Sequence, residues 1–281
     1  MLENIRLSFQ GVWSHRLRSF LTMLGIIIGI AAIIAIVSTI KGTNEQIKKN
    51  LIGSGTNTTT VQLTEEGNYP AEMEYGIPKG IPVLDDDMRQ QLADIDHVKD
   101  ASLYVSRTQV DYIYYNDTSL SGGQLIGADS HYLGTCGYIM KRGRGFTDSD
   151  YEKYRKVAVI DSVAADSLFG DANPVGKTID IKGEPFIVIG VIEESTAFSP
   201  VINSVEDYYT YVYNDGSASG IVVIPDVDWN IVQQYDEPQN AKLLADSTDN
   251  MTSVGKAAQT LLNETVTSKS IKYRAANMNE T

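Results

Sequence analysis

Cysteine and histidine are scarce in this chain of 281 residues. It has one cysteine, Cys136, and three histidines, His15, His97 and His131, dispersed along the sequence. A single thiol excludes an internal disulfide and a zinc site built from cysteines. Basic residues are also in short supply, because 23 Lys and Arg stand against 36 Asp and Glu, and the formal net charge is −13. Since phosphate contacts need basic patches, this balance argues against nucleic acid as a partner.

Recognisable catalytic and nucleotide-binding motifs are missing as well. The sequence has neither an H-E-x-x-H nor a G-x-S-x-G motif. The segment GDANPVGKT resembles a phosphate-binding P-loop, but five residues separate Gly170 from Gly176, where the motif requires four. A helical pattern also precedes this segment and a strand pattern follows it, the reverse of the order that such a loop needs. We therefore predict a helix-to-strand loop in which Pro174 ends the helix and Gly176 turns the chain.

A calcium loop is the second motif that fails. Asp226, Asp228, Asn230 and Glu237 occupy positions 1, 3, 5 and 12 of such a loop, but Ile231 stands at the sixth position, where the loop needs glycine. The favoured alternative is a solvated acidic loop. The sequence therefore predicts no metal, no cofactor and no catalytic residue, and a chain that is not an enzyme.

One long apolar run stands out against this acidic background. Phe20 to Ile40 is 21 residues without a charge, and a helix of that length spans about 30 Å, the hydrocarbon thickness of a bilayer. The run is longer than the core of a secretion signal, and IVSTIKG at its end is a poor cleavage site, so an uncleaved transmembrane helix is favoured over a cleaved signal. Arg16 and Arg18 directly before the run favour a cytoplasmic N-terminus, although three lysines follow it.

Two features predict that this helix has neighbours. Gly25 and Gly29 in GIIIG lie four residues apart on one face, where a second helix can approach closely; the alternative is that glycine is simply frequent in membrane helices. Before the run, Ile5, Phe9 and Trp13 recur at helical spacing, which predicts an amphipathic helix on the inner membrane surface. This helix is either an ordinary flank of the span or a contact site for a cytoplasmic partner.

Residues 51–281 form an acidic body, which holds 17 of the 23 basic and 34 of the 36 acidic residues. A helix is predicted to start near Asp85 in LDDDMRQQLADI, since acidic residues favour a helix N-terminus. Short strand and helix patterns alternate through the middle, with a hairpin about Lys182-Gly183-Glu184. The tail has a β-α-β pattern in AKLLAD, DNMTSVGKAAQTLLNETV and SIKYRAAN. The body is therefore predicted to be α+β, with strands from both ends in one sheet.

The most distinctive surface candidate is the segment YYTYVYNDG. Tyr209, Tyr211 and Tyr213 alternate in it, so in a strand they lie on one face, before an Asn-Asp-Gly turn. Exposed tyrosine-rich patches often bind partners or ligands, whereas the favoured alternative is cross-strand packing within a hairpin. The three tyrosines stay a candidate patch for a partner or a ligand.

Two distant segments together resemble the MacB/FtsX-type permease subunits of ABC transporters. NIRLSFQGVWSHRLRSFLTMLGIIIGIAAIIAIVSTIKG is similar to the N-terminus of that family, and GRGFTDSDYEKYRKVAVIDSVAADSLFGDANPVGKTIDIKGEPFIVIGVIEE is similar to the centre of its extracytoplasmic core domain. The NPVGK segment is then explained as a loop of that domain. The resemblance covers residues 1–65 and 120–195 closely and the tail loosely, and it leaves the loop 65–82 and the tyrosine-rich stretch 195–219 without a counterpart.

The resemblance implies a domain organisation. One N-terminal transmembrane helix would be followed by a two-lobed extracytoplasmic α+β domain, in which a middle lobe is inserted into a porter-like βαβ lobe. The implied ranges are an amphipathic cytoplasmic helix over 1–19, the transmembrane helix over 20–40 and the extracytoplasmic core domain over 41–281, with the porter-like lobe at about 50–115 and 236–281 and the middle lobe at about 116–235.

The resemblance also implies partners and a role. Family members dimerise, bind a cytoplasmic ABC ATPase and convert its cycle into movement of the outside domain, for export of peptides, antibiotics or toxins with an adaptor of the membrane-fusion type. Ile5, Phe9, Trp13 and Arg16 would then face the ATPase. The family has four spans, whereas this chain ends at Thr281, about where the second would begin, so a fragment of a permease subunit is expected. The alternative is a single-span, membrane-anchored extracytoplasmic binding or sensor module without transport activity.

Overall fold

The computed structural model describes residues 16–53, 57–65, 71, 77–193, 219–233 and 239–275, with the backbone alone for residues 16, 17, 19 and 39–53. The chain divides into an N-terminal unit, Met1–Lys49, and a compact body, Asn50–Thr281. In chain order the helices are α1 (Arg16–Gly53), α2 (Asp86–Ala93), α3 (Tyr132–Thr135), α4 (Asp148–Glu152), α5 (Ser162–Phe169), α6 (Trp229–Val232) and α7 (Met251–Asn263). The strands are β1 (Thr58–Thr64), β2 (Val98–Val110), β3 (Ile113–Tyr115), β4 (Thr118–Ser119), β5 (Gly123–Ala128), β6 (Ile139–Gly143), β7 (Val157–Asp161), β8 (Thr178–Ile181), β9 (Glu184–Glu193), β10 (Ile221–Pro225), β11 (Asn240–Ala245) and β12 (Lys272–Ala275).

The N-terminal unit contains the apolar run as part of one continuous helix. α1 is 38 residues long, which corresponds to about 57 Å at 1.5 Å per residue. The stretch Phe20–Ser38 within it has a mean hydropathy of 2.9. α1 as described ends at Gly53, and glycine commonly terminates helices.

The two ends of the body build one end of the sheet. The strand order there is β12-β1-β11-β2, and all three neighbouring pairs are antiparallel. β1 and β2 are therefore parallel to each other with α2 between them in the chain, and β11 and β12 are related in the same way through α7. Two βαβ units thus interlock, since each has a strand of the other between its own two strands. The predicted sharing of one sheet by strands from both ends is confirmed.

The middle of the chain extends the same sheet. Beyond β2 the order continues β5-β10-β7-β9-β8-β3-β4, and β6 pairs with β9. The pairs β5–β10 and β7–β9 are parallel, while the other pairs in this part are antiparallel. The middle strands are thus inserted, in sequence, between the second and third strands of the βαββαβ arrangement.

Local sequence rules explain how several of these elements begin and end. The carboxylate of Asp85 accepts a hydrogen bond from the backbone N–H of Met88 at 3.0 Å and caps α2. The β8–β9 hairpin has a two-residue loop in which Lys182 and Gly183 both have positive φ, 55° and 90°, the pattern of a type I′ turn. α5 ends at Phe169, followed by Gly170 with φ of 57°, so Gly170 and not Pro174 terminates this helix.

Separate hydrophobic cores lie along the sheet. A terminal core joins the two ends of the body, with Leu63, Leu92 and Leu243 among its buried members. A central core collects side chains of the middle strands, including Phe186 and Ile160. In β10, Val222 and Ile224 belong to this central core, whereas Ile221 and Val223 belong to a third cluster, because alternate side chains face opposite sides of a strand. The predicted α+β class is confirmed, and the boundaries of the two lobes stay a prediction.

Candidate functional site

The apolar stretch of α1 presents a uniformly apolar surface. Over Phe20–Ser38 its side chains are exposed on all sides, as for Phe20 at 64% and Ile33 at 63%. Nineteen residues at 1.5 Å each give about 28 Å, which matches the hydrocarbon layer of a bilayer. A helix that is apolar all round is stable only in an apolar surrounding. By length and composition this stretch fits a membrane anchor.

The residues predicted to pack or bind can be placed only in part. Gly25 and Gly29 lie in α1, and a Cβ added at either would meet nothing within 4 Å. This leaves room for a neighbouring helix, and their packing role stays a prediction. The backbone of Arg16 begins α1. Ile5, Phe9 and Trp13, and the candidate patch Tyr209, Tyr211 and Tyr213, lie outside the described residues.

The segment that mimics a P-loop has the context of a helix-to-strand loop. α5 precedes it and β8 follows. The backbone N–H of Gly176 donates to the carbonyl of Val188 at 2.8 Å, and that of Lys177 donates to the carbonyl of Pro174 at 3.0 Å. A phosphate site needs amides that point at the ligand, and these two amides are already bonded within the protein. The structure therefore agrees with the rejection of a nucleotide site at this loop.

The segment RGRGFTDSD builds a buried ion pair. Asp150, the third residue of α4, is fully buried, and its carboxylate accepts from both terminal nitrogens of Arg144, at 2.6 and 3.1 Å. The same carboxylate accepts from the backbone N–H and the hydroxyl of Thr147, at 2.9 and 2.8 Å, as part of a capping box. The bond from Arg144 is the main cause that lowers the pKa of Asp150 to about 2, against the opposing effect of burial. Thr147 is thus the N-cap residue of α4.

Three aspartates follow the carboxyl ends of the parallel strands β5 and β10. Asp129 comes directly after β5, while Asp226 and Asp228 come after β10. Burial raises the pKa of Asp226 to about 6, and the negative charge of Asp129 adds to this effect. Burial also raises the pKa of Asp228 to about 6, where Lys156 opposes the shift and Asp226 reinforces it. Both carboxylate oxygens of Asp228 are buried and have no hydrogen-bond partner among the described residues, so its charged form is destabilised.

The favoured prediction for this region, a solvated acidic loop, is wrong. Asp226–Asp228 forms a turn of 3-10 helix and continues directly into α6. Asp228 has no solvent exposure, and the next residue, Trp229, is buried as well. Within the described ranges, which exclude Glu237, no three His, Cys, Asp or Glu side chains lie close enough together to hold a metal ion.

A cleft of about 280 Å³ opens beside this turn, and we call it the junction cleft. It lies where the cores meet, because Val105 and Trp229 in its wall belong to the central core and Ile77 packs against the terminal core. The lining residues are Ile77, Val83, Val105, Asp226, Val227, Trp229, Asn230 and Gln239. The sequence alone does not reveal this cleft, since its walls come from distant segments. Its one local signal is DVDWN, in which two acidic residues precede one of the two tryptophans of the chain.

Comparison with known proteins places these features in a family. The model of the MacB-like periplasmic core domain matches residues 19–261. The ABC transporter permease YvrN of Bacillus subtilis is 35% identical over 269 residues, covering 94% of this chain and 62% of the relative. The macrolide export ATP-binding/permease protein MacB of Campylobacter fetus is 32% identical over 213 residues, covering 75% of this chain and 32% of the relative. The chain thus spans less than two thirds of the length of these relatives.

Solved structures share the fold at low sequence identity. The periplasmic region of MacB from Actinobacillus actinomycetemcomitans aligns with a TM-score of 0.56 at 20% identity, covering 80% of this chain and 91% of that one. The extracellular domain of the ABC-type transporter YknZ from Gram-positive bacteria aligns with a TM-score of 0.51 at 21% identity, covering 78% of this chain and 100% of that one. The family match includes both the apolar helix and most of the sheet-forming body. The chain therefore belongs to the family of the MacB-like periplasmic core domain, as the resemblance of its sequence predicts.

Proposed function

We propose that this chain is the membrane-anchored, extracytoplasmic part of a permease subunit of an ABC exporter. The observation that carries the proposal is the family match over residues 19–261. One family model thus covers both the apolar helix and most of the body. α1 runs without interruption from Arg16 through the apolar stretch to Gly53, and β1 begins at Thr58. A continuous helix that extends past the apolar stretch is a suitable device for transmitting movement out of the membrane.

The energy for this movement is proposed to come from ATP hydrolysis on a cytoplasmic ATPase partner. The amides of Gly176 and Lys177 in the NPVGK loop are bonded to backbone carbonyls, which supports placing the nucleotide chemistry on another polypeptide. Two arginines directly before the apolar stretch support a cytoplasmic N-terminus and an extracytoplasmic body. Ile5, Phe9, Trp13 and Arg16 are then proposed to face the ATPase.

The permease subunit is further proposed to form a homodimer and to work with an adaptor protein of the membrane-fusion type. The spacing of Gly25 and Gly29, four residues apart on one face of α1, supports close packing of this helix against another membrane helix. The cargo class that we propose is peptides, antibiotics or toxins, and the relatives named as macrolide export proteins support an antibiotic among these. The alternative of a sensor module relied on Tyr209, Tyr211 and Tyr213, which lie outside the described residues, so no structural observation favours it.

Copurification and a resistance assay test this proposal together. The full-length parent is expressed with the ATPase encoded nearest to it, and the membrane fraction is purified through a tag on the permease. We expect the ATPase to copurify and the pair to raise resistance to an exported compound. A matched control replaces the P-loop lysine of the ATPase, which should abolish resistance while leaving copurification intact. Resistance that persists in this control, or the absence of any ATPase in the purified fraction, would contradict ATP-driven export.

A further inference from the structure

A cavity of about 180 Å³, which we call the flank cavity, lies between β6 and one flank of α5. Its volume corresponds to roughly six water molecules at about 30 Å³ each. Its polar lining comes from Lys141, Arg142, Ser162, Asp166 and Asp171, and its apolar lining comes from Ala165, Ala172, Pro174 and Val191. Pockets for small molecules combine apolar surface with a few polar groups that fix orientation. The flank cavity therefore has the composition of a site for a small, charged ligand.

Two consecutive cationic side chains of β6 line this cavity. Side chains normally alternate between the two sides of a strand, but the register of β6 against β9 shifts between Met140 and Arg142, and such a bulge breaks the alternation. Lys141 and Arg142 thus both line the cavity. Nζ of Lys141 donates to Oγ of Ser162 at 3.4 Å and lies 3.0 Å from the carboxylate of Glu193. Because Glu193 neutralises part of the charge of Lys141, Arg142 is the main attraction for an anion.

Two carboxylates line the same cavity further along α5. Asp166 lies four residues after Ser162, about 6 Å along the helix axis, and Asp171 follows the end of the helix. In the part of the chain that the structure describes, neither carboxylate forms an ion pair, and neither does Arg142. The cavity therefore presents charges of both signs at separate places, and a ligand with both charges is needed to pair with them together.

We propose that the flank cavity binds a short linear zwitterion. Its carboxylate pairs with Arg142 and Lys141, and its ammonium group pairs with Asp166, with Asp171 as a second counter-charge. The chain between the two charges lies against Val191. This chemistry has two sources, an amino acid whose charges are several methylenes apart and a short peptide with both termini free. The site requires no ATPase partner, so it is independent of the proposed export function.

Saturation-transfer NMR on the full chain in detergent solution measures this binding, at pH 7.5 and low ionic strength because salt screens exposed charges. The probes are glycine, δ-aminovalerate and diglycine, with valerate and pentylamine as analogues that carry one charge each. We expect millimolar affinity for δ-aminovalerate, as suits a ligand of about eight non-hydrogen atoms. Binding of glycine, whose charges are too close together, and of both analogues should be at least threefold weaker. Diglycine has the same backbone length as δ-aminovalerate, so its tighter binding assigns the site to short peptides, whereas equal or weaker binding assigns it to amino acids.

Matched variants give the decisive comparison. Arg142→Gln and Asp166→Asn each remove one exposed charge, so the fold is retained, and each should weaken δ-aminovalerate binding about threefold, the size typical of an exposed ion pair. Arg142→Gln should leave pentylamine binding unchanged, because pentylamine has no carboxylate. Lys153→Gln and Asp117→Asn remove exposed charges outside the cavity and should leave all affinities unchanged. Equal binding of δ-aminovalerate and its singly charged analogues, equal losses in the cavity and control variants, or no binding of any probe would each overturn the proposal.

Discussion

The ion pair between Arg144 and Asp150 gives a prediction whose magnitude follows from the geometry. Asp150→Asn keeps the side-chain shape and one acceptor oxygen but removes the charge that Arg144 binds. The pKa of Asp150 falls from 3.8 to about 2, and a shift of this size corresponds to about 2.4 kcal/mol of native-state stabilisation when the group is ionised. Because the Arg144 side chain is 44% exposed, solvent screens part of this energy. We therefore expect Asp150→Asn to lower the free energy of unfolding by about 1.5 kcal/mol at pH 7.

The pH dependence of this loss has a definite sign. Since the native pKa of Asp150 lies below the unfolded value, the stabilisation is present above about pH 4 and is lost as the pH falls towards about 2. Thermal unfolding of the chain in detergent, followed by near-UV circular dichroism, measures the difference. A loss of about 1.5 kcal/mol should lower Tm by about 3 to 6 °C for a body of this size.

Asp148→Asn is the matched control for this experiment. Asp148 lies in the first turn of the same helix, is exposed, and accepts no bond from Arg144. Its replacement removes only a favourable interaction with the helix dipole, at most about 0.5 kcal/mol. The reasoning is refuted if Asp150→Asn is as stable as the parent at pH 7. It is also refuted if the two variants lose the same stability, or if the loss for Asp150→Asn stays undiminished near pH 2.

Asp228→Asn is expected to stabilise the body by about 1 kcal/mol at pH 7, because burial raises the native pKa of Asp228 to about 6 and penalises its ionised form. Parent stability should accordingly fall as pH rises from about 4 to about 6, and the same unfolding assay should show a flatter profile for the variant. Gly25→Leu and Gly29→Leu should weaken crosslinking between subunits but leave membrane insertion intact. The control Ala31→Leu, on another face of α1, should leave crosslinking unchanged. Equal crosslinking of all three variants would count against a packed glycine face. The purified chain should neither bind nor hydrolyse ATP, and hydrolysis that is lost in Lys177→Ala would contradict our assignment of the NPVGK loop.

Local patterns were sufficient to predict most elements of this fold. The uncharged run predicts α1, because a helix of that length and composition is stable in a bilayer. Lys182-Gly183 fixes the β8–β9 hairpin, since these residues adopt the positive φ values that a two-residue turn requires. The β-α-β pattern of the tail corresponds to β11, α7 and β12. Each of these predictions depends on residues that are near each other in the chain.

What escaped prediction depends on residues that are distant in the chain. The central place of β1 is set by pairing with both β11 and β12, as in Val61 opposite Ala241 and Ala275, and no local pattern specifies such partners. From its composition, the segment around Asp228 is predicted to be polar and exposed, whereas Asp228 is fully buried in the folded body. The junction cleft is invisible for the same reason, because its walls meet only after the two cores have formed.

The central claim is that the body lies across the membrane from the residues that precede α1. Single-cysteine labelling in intact cells tests this most directly, because Cys136 is the only native thiol and can be replaced by serine. In that background, Asp117→Cys places a thiol on an exposed turn of the body, and Gln10→Cys places one before the apolar helix. The account predicts that a membrane-impermeant maleimide labels Asp117→Cys in intact cells and labels Gln10→Cys only after lysis. The reverse pattern, or recovery of a soluble body trimmed near Lys41 in the medium, would contradict it.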